Sequence, residues 1–257
     1  MRTTNALPVA VLFASAITLL GGCATSMHMK LAPQLTAVQP WDVRGHRGAG
    51  QAMQFGRWQV TTPASFFVDR QSVGGGDPLV LPKGPEVKVQ SSTRLIRDRM
   101  TFQFELASQA NSQLHWTADC VAELRLANRS VETFDKSDET EITQPGFPQL
   151  DCKFSGSQTG RLSIHADFST QRDHGSAQFP QASWQLRSVS ALEQGHTPWA
   201  RFGHEFLRDD RVLGAVETIG DGRVWMHPDL TPVEEDEVAL MSTALLYYGS
   251  LLELRDT

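Results

Sequence analysis

Basic side chains are in deficit, 23 Lys and Arg against 29 Asp and Glu, and the chain carries a net charge of −6. That balance argues against nucleic acid as a partner and offers no basic patch for holding anionic lipid headgroups. Cysteine is scarce, three in 257 residues with no Cys-x-x-Cys spacing, which removes the motif of a thioredoxin-like redox centre. The eight histidines are dispersed, without a His-x-x-x-His or Cys/His spacing for zinc. The acidic stretch Asp135 to Glu141 lacks the glycine and ligand spacing of an EF-hand loop and reads as solvated loop. No Gly-x-Ser-x-Gly elbow or phosphate-cradling glycine loop occurs. No metal or cofactor is expected, although a catalytic group assembled from distant residues would leave no such spacing.

What is present starts at the amino end. Arg2 precedes the apolar run Leu7 to Leu20, which contains Pro8 and is shorter than the roughly 20 residues that span a bilayer. Leu20-Gly21-Gly22-Cys23 follows at once. This pattern resembles the bacterial lipoprotein signal with its lipobox. The resemblance implies removal of residues 1–22, diacylglycerol on the Cys23 thiol and acylation of its new amine. Ala24 stands where an aspartate would retain such a protein at the inner membrane, so the implied address is the outer membrane, facing the periplasm. Three acyl chains exceed the two-signal threshold for stable anchoring.

An oxidising compartment makes Cys120 and Cys152 an expected disulfide. Residues 23–50 are polar and aperiodic and read as a lipidated terminus and flexible tether, with a reach of about 25 to 30 Å. The folded part is expected over 51–257, as one β-rich domain. Met53 and Phe55 share one parity and Trp58 and Val60 the other, which reads as a strand bulged at Gly56. Phe66 to Gln90, interrupted by Gly74-Gly75-Gly76, Pro78, Pro82 and Pro85, reads as loop with short edge strands.

Beyond it the period is two. Met100, Phe102, Phe104 and Leu106 alternate with polar residues, as do Leu114, Trp116, Ala118, Cys120, Ala122, Leu124 and Leu126. Cys152 sits in a similar alternation, so both cysteines point inward and the bridge joins two strands. Leu162, Ile164, Ala166 and Phe168 mark another strand, and Ala182, Trp184 and Leu186 a further one. The apolar runs Phe202 to Arg208, Val212 to Ile219 and Arg223 to Met226, separated by Asp209-Asp210 and Gly220-Asp221-Gly222, read as a meander. Thr231, Pro232 and Glu234 then form a capping box that starts a helix over 232–254. That helix is apolar nearly all round and must be surrounded. The expected fold is mainly β, an antiparallel curved sheet or barrel packed around an apolar C-terminal helix.

A meander from Gly203-His204-Glu205-Phe206 through Val224-Trp225-Met226, followed by such a helix, resembles the layout of the tubby-like superfamily. In that superfamily a closed sheet surrounds the helix. The basic residues with which tubby binds lipid headgroups have no located counterpart here, and the cysteine pair departs from its cytosolic members. The Phe55-Gly56-Arg57-Trp58 start and the cysteine pair also resemble bacterial envelope lipoproteins, a family that implies no activity. Gly45-His46-Arg47-Gly48-Ala49 is similar to the opening of glycerophosphodiester phosphodiesterases, but neither their acidic continuation nor the αβ alternation of their barrel follows.

The remaining candidates have plain readings beside the chemical ones. Met27-His28-Met29 offers copper ligands but reads rather as a few flexible residues beside the membrane. His204, Glu205, Asp209 and Asp210 are the densest titratable group and read as a polar strand face and turn rather than an acid–base site. Trp58, Trp116, Trp184, Trp199 and Trp225 are mostly at inward parity and read as core. The expected function is non-enzymatic binding or scaffolding by a membrane-anchored periplasmic lipoprotein. Its partners would be the membrane, through the acyl chains, and an envelope protein or lipid. A lipid or hydrophobic-ligand binding protein is the alternative, and a hydrolase such as a phosphodiesterase the further one.

Overall fold

The period-two stretches form strands, and these wrap into a nearly closed antiparallel barrel around one helix. The computed structural model describes residues 27–46, 52–79, 89–111, 113–133, 140–144, 149–167, 172–196 and 202–253. The strands are β1 (Trp41–Asp42), β2 (Gln54–Phe55), β3 (Trp58–Leu79), β4 (Val89–Ser108), β5 (His115–Thr133), β6 (Thr140–Gln144), β7 (Gln149–Gly156) and β8 (Gly160–Asp167). They continue with β9 (Arg172–Gln178), β10 (Ser183–Val189), β11 (Ala191–Leu192), β12 (Gly195–His196), β13 (Gly203–Arg208), β14 (Arg211–Glu217) and β15 (Arg223–Met226), and the helix α1 is Pro232–Glu253. Around the barrel the order is β1-β15-β14-β13-β10-β9-β8-β7-β5-β4-β3-β2, while β6 pairs with β5, and β11 and β12 form a separate hairpin. The two ends of this order meet. Arg44, just past β1, and Gln54 of β2 exchange both backbone hydrogen bonds at 2.9 Å.

The helix is the filling. From Val238 to Tyr248 every residue is buried, at no more than 7 % exposure. The wall is tight against it: a methyl group added at Gly214 would lie 3.1 Å from Val238 Cγ1, and one at Gly222 2.6 Å from Leu246 Cδ2. Trp58, Trp116, Trp184, Phe102, Phe104 and Phe206 complete the interior, with the Tyr247 ring packed on Phe102 and Phe104. Each large apolar side chain so buried contributes roughly 1.5 to 3 kcal/mol. Strands β7 and β10, with β4 over 99–108, β5 over 115–123 and β8 over 160–165, bury alternate side chains as expected.

Cys120 and Cys152 are directly opposite on β5 and β7, buried on the inner face with their sulfurs at a bonding distance of 2.08 Å.

Three sequence expectations change. The stretch read as a flexible tether is packed from Met27 to His46, so the folded part starts near Met27 rather than at residue 51. Met29 and Leu35 are fully buried on the outer face of β13, β14 and β15, with Val189, Phe202, Leu207, Val212, Ala215 and Trp225. The reason is that the meander is apolar on both faces, and this strap, with a short 3₁₀ turn at Pro33–Leu35, covers the outer one. Trp225 therefore belongs to an outer cluster rather than the barrel interior. At Gly56, φ +50°, there is a two-residue turn in place of a bulge: Phe55 pairs with Trp58, which explains the switch of parity. Phe66 to Gln90 is also not loop where described, because β3 and β4 stay paired residue by residue from Phe66↔Phe102 to Leu79↔Val89, through the three glycines.

Candidate functional site

The polar groups that converge do so at the end of the barrel where α1 begins. The capping box forms: the Thr231 N–H donates to Glu234 Oε2 at 2.8 Å and the Glu234 N–H to Thr231 Oγ1 at 3.4 Å. Acids crowd the first turns, where the helix dipole favours them, and the surrounding strands supply donors. Glu234 pairs with Arg208. Asp236 Oδ1 accepts from Trp58 Nε1 at 2.8 Å and from Arg57 at 3.0 Å, and Arg57 also pairs with Glu235 at 3.1 Å. Glu237, fully buried, accepts from Trp184 Nε1 at 2.7 Å through Oε2. Burial pushes the Glu237 carboxyl above its ordinary range, against the opposing effects of the Trp184 hydrogen bond and Arg208, and Asp236 adds to the rise. Glu235 is raised in the same direction, first by burial.

Beside this collar lies a cleft of about 340 Å³, lined among others by Arg57, Asn111, Trp116, Gln158, Gln181 and Val233. Its amides and apolar walls suit a neutral ligand. Among the lining hydroxyls, that of Ser157 is occupied by the backbone N–H and C=O of His115, both at 3.0 Å. A second groove, of about 530 Å³, runs over the outer wall behind the disulfide, lined by Thr101, Gln103, Asp119, Lys153 and Arg161 with Phe67 standing 71 % exposed. Asp119 and Asp151 accept from Gln103 and Ser163, so their charges are already hydrogen-bonded within the wall.

The other candidates are dispersed. Cys23 lies outside the described residues, as do Trp199, Phe168 and most of the acidic stretch after Asp135. His46 is at the opposite end of the barrel, with Nε2 2.9 Å from the Leu246 carbonyl and 2.7 Å from Ser250 Oγ, and so ties down the last turns of α1. Arg47 to Ala49 lie outside the described residues. His204 faces inward, opposite Val216, while its neighbour Glu205 faces outward and is held by Arg187 at 2.6 Å. Asp209 and Asp210 form the exposed β13–β14 turn, both at positive φ. Of the possible copper ligands, Met27 is exposed, Met29 is buried in the outer cluster, and His28 lies 3.5 Å from Glu217. No group of three metal-ligating side chains occurs among the described residues.

The collar was missed by sequence reasoning because Trp58 and Asp236 are 178 positions apart. The one signal for it was an unbroken acidic run, Glu234 to Glu237, entering a helix that had to be buried. Family models, curated proteins and solved structures contain no match to this chain.

Proposed function

We propose that the protein is a lipid-anchored binding or scaffolding component of the cell envelope, without an enzymatic role, held at the outer membrane by acyl chains on Cys23 and facing the periplasm. The observation that carries this reading is the filled barrel. At Gly214 and Gly222 an added methyl group would press on Val238 and Leu246, so wall and helix are in close contact there, which leaves outer surfaces such as the helix-entry cleft and the groove beside Phe67 for a partner. A lipid carrier needs an internal cavity instead. The ring around an apolar C-terminal helix supports the resemblance to the tubby-like layout, and the lipobox supports the anchor. His46, engaged by the helix terminus, weighs against the phosphodiesterase alternative.

The test is native mass spectrometry of the protein expressed with its own leader and extracted from membranes in detergent. The expected mass is the chain from Cys23 with three acyl groups, two hydrogens lighter than the dithiol form, and no retained small molecule. A stoichiometric lipid or metabolite surviving purification would replace this reading with the hydrophobic-ligand alternative.

A further inference from the structure

The packed strap sets how the barrel meets its membrane. Met29 is locked in place by its N–H donating to Glu217 Oε2 at 2.6 Å and by a bridge to Leu192, while His28 accepts from the Glu193 N–H. Arg223 holds Glu217 from the other side at 2.9 and 3.1 Å. The chain is thus fixed from Met27 onward, and four residue steps separate Met27 from Cys23. Fully extended, they span at most about 14 Å.

The position of Met27 on the barrel is equally defined. Glu217 ends β14, and the neighbouring Thr218 and Gly222 touch Gly249 and Leu246 near the carboxyl end of α1. The anchor is therefore attached at the helix-exit end. The entry end, with the cleft and the Trp58 and Trp184 collar, lies a helix length away, about 33 Å for 22 residues.

We infer that the helix-exit end, with Met27 and the β11–β12 hairpin at its surface, is a bilayer-facing surface, and that the entry-end cleft is presented outward to the periplasm. This rests on the reading that Cys23 is acylated. The occupant of the exit end is the lipid surface itself, brought there by a leash too short to let the barrel turn freely.

The test uses the acylated full-length mature protein in vesicles of phosphatidylethanolamine and phosphatidylglycerol containing a headgroup-labelled acceptor lipid. A donor dye is attached through Glu193→Cys, exposed in the β11–β12 turn at the exit end, or Gln158→Cys, half-buried in the β7–β8 turn at the entry end. Energy transfer from position 193 should be at least twofold more efficient than from 158. Met29→Asp, which releases the strap without entering the barrel, should bring the two efficiencies together. Equal transfer in the parent protein overturns the orientation, and a difference that persists in Met29→Asp overturns the strap as its cause. If the intact mass shows no acyl group on Cys23, the anchoring reading itself fails, and that result is distinct from either.

Discussion

Strand β7 and the meander β13 to β15 belong to one wall but obey different burial rules. In β7 Leu150, Cys152 and Phe154 point inward and are buried, while Asp151, Lys153 and Ser155 between them are exposed. In β13 and β14 nearly every residue is buried, because the inner face meets α1 and the outer face meets the strap from Met27 onward. Alternation in the sequence marks a strand with one dry face, whereas an unbroken apolar run marks a strand with two. The second kind demands a cover, and here the cover comes from more than 150 residues earlier in the chain.

Charge placed inside should be worse than charge removed outside, and that ordering can be measured. Leu245→Asp puts an unpaired carboxylate between helix and wall, where Leu245 is 1 % exposed. A loss of about 5 kcal/mol or more is expected, enough to abolish the cooperative thermal transition by circular dichroism. A folded Leu245→Asp protein would remove the claim that the helix is enclosed. On the outer face, Glu217→Ala strips partners from the Met29 N–H and Arg223 but leaves the barrel interior intact. It should cost about 2 to 4 kcal/mol in denaturant unfolding and free the backbone after Lys30, held by its N–H to the Ala191 carbonyl, for cleavage by trypsin, while the barrel still folds.

The smallest effect separates buried charge from buried apolar surface within the interior. Because the folded-state pKa of Glu237 is raised above its ordinary value of 4.5, the folded state binds the proton more tightly than the unfolded one. Its penalty is absent below pH 4.5, grows as pH rises through 4.5 to the folded-state pKa, and is constant above it. Glu237→Gln keeps an acceptor for Trp184 and cannot ionise. Its unfolding midpoint should match that of the parent near pH 4 and exceed it at pH 7. A parent midpoint that does not fall relative to the variant over that interval would show that Glu237 is not destabilised by ionisation.

Local chemistry made much of this fold readable. The alternation from Met100 to Leu106, the Asp209-Asp210 turn and the Thr231/Glu234 capping box each rest on neighbours in sequence, and each is found in place. The strap was not readable, since Met29 and Leu35 stand in no continuous alternation and are ordered by the meander beneath them. The β3 to β5 ribbon was hidden for the opposite reason: glycine and proline suggest loop, but pairing to β4 along the whole length overrides that local preference. The collar joins indoles to carboxylates across 178 and 53 positions, a relation that no window on the sequence contains.

The order of elements along the chain has a kinetic consequence. The barrel's filling comes after all of its walls, so a chain emerging amino end first displays Phe102, Phe104, Trp116 and Trp184 before the helix that covers them exists. The closing pair, Arg44 with Gln54, also depends on β15 holding β1 in line. Such a molecule assembles late and nearly all at once, and until the last turns of α1 arrive its half-built wall is a sticky client for holding chaperones.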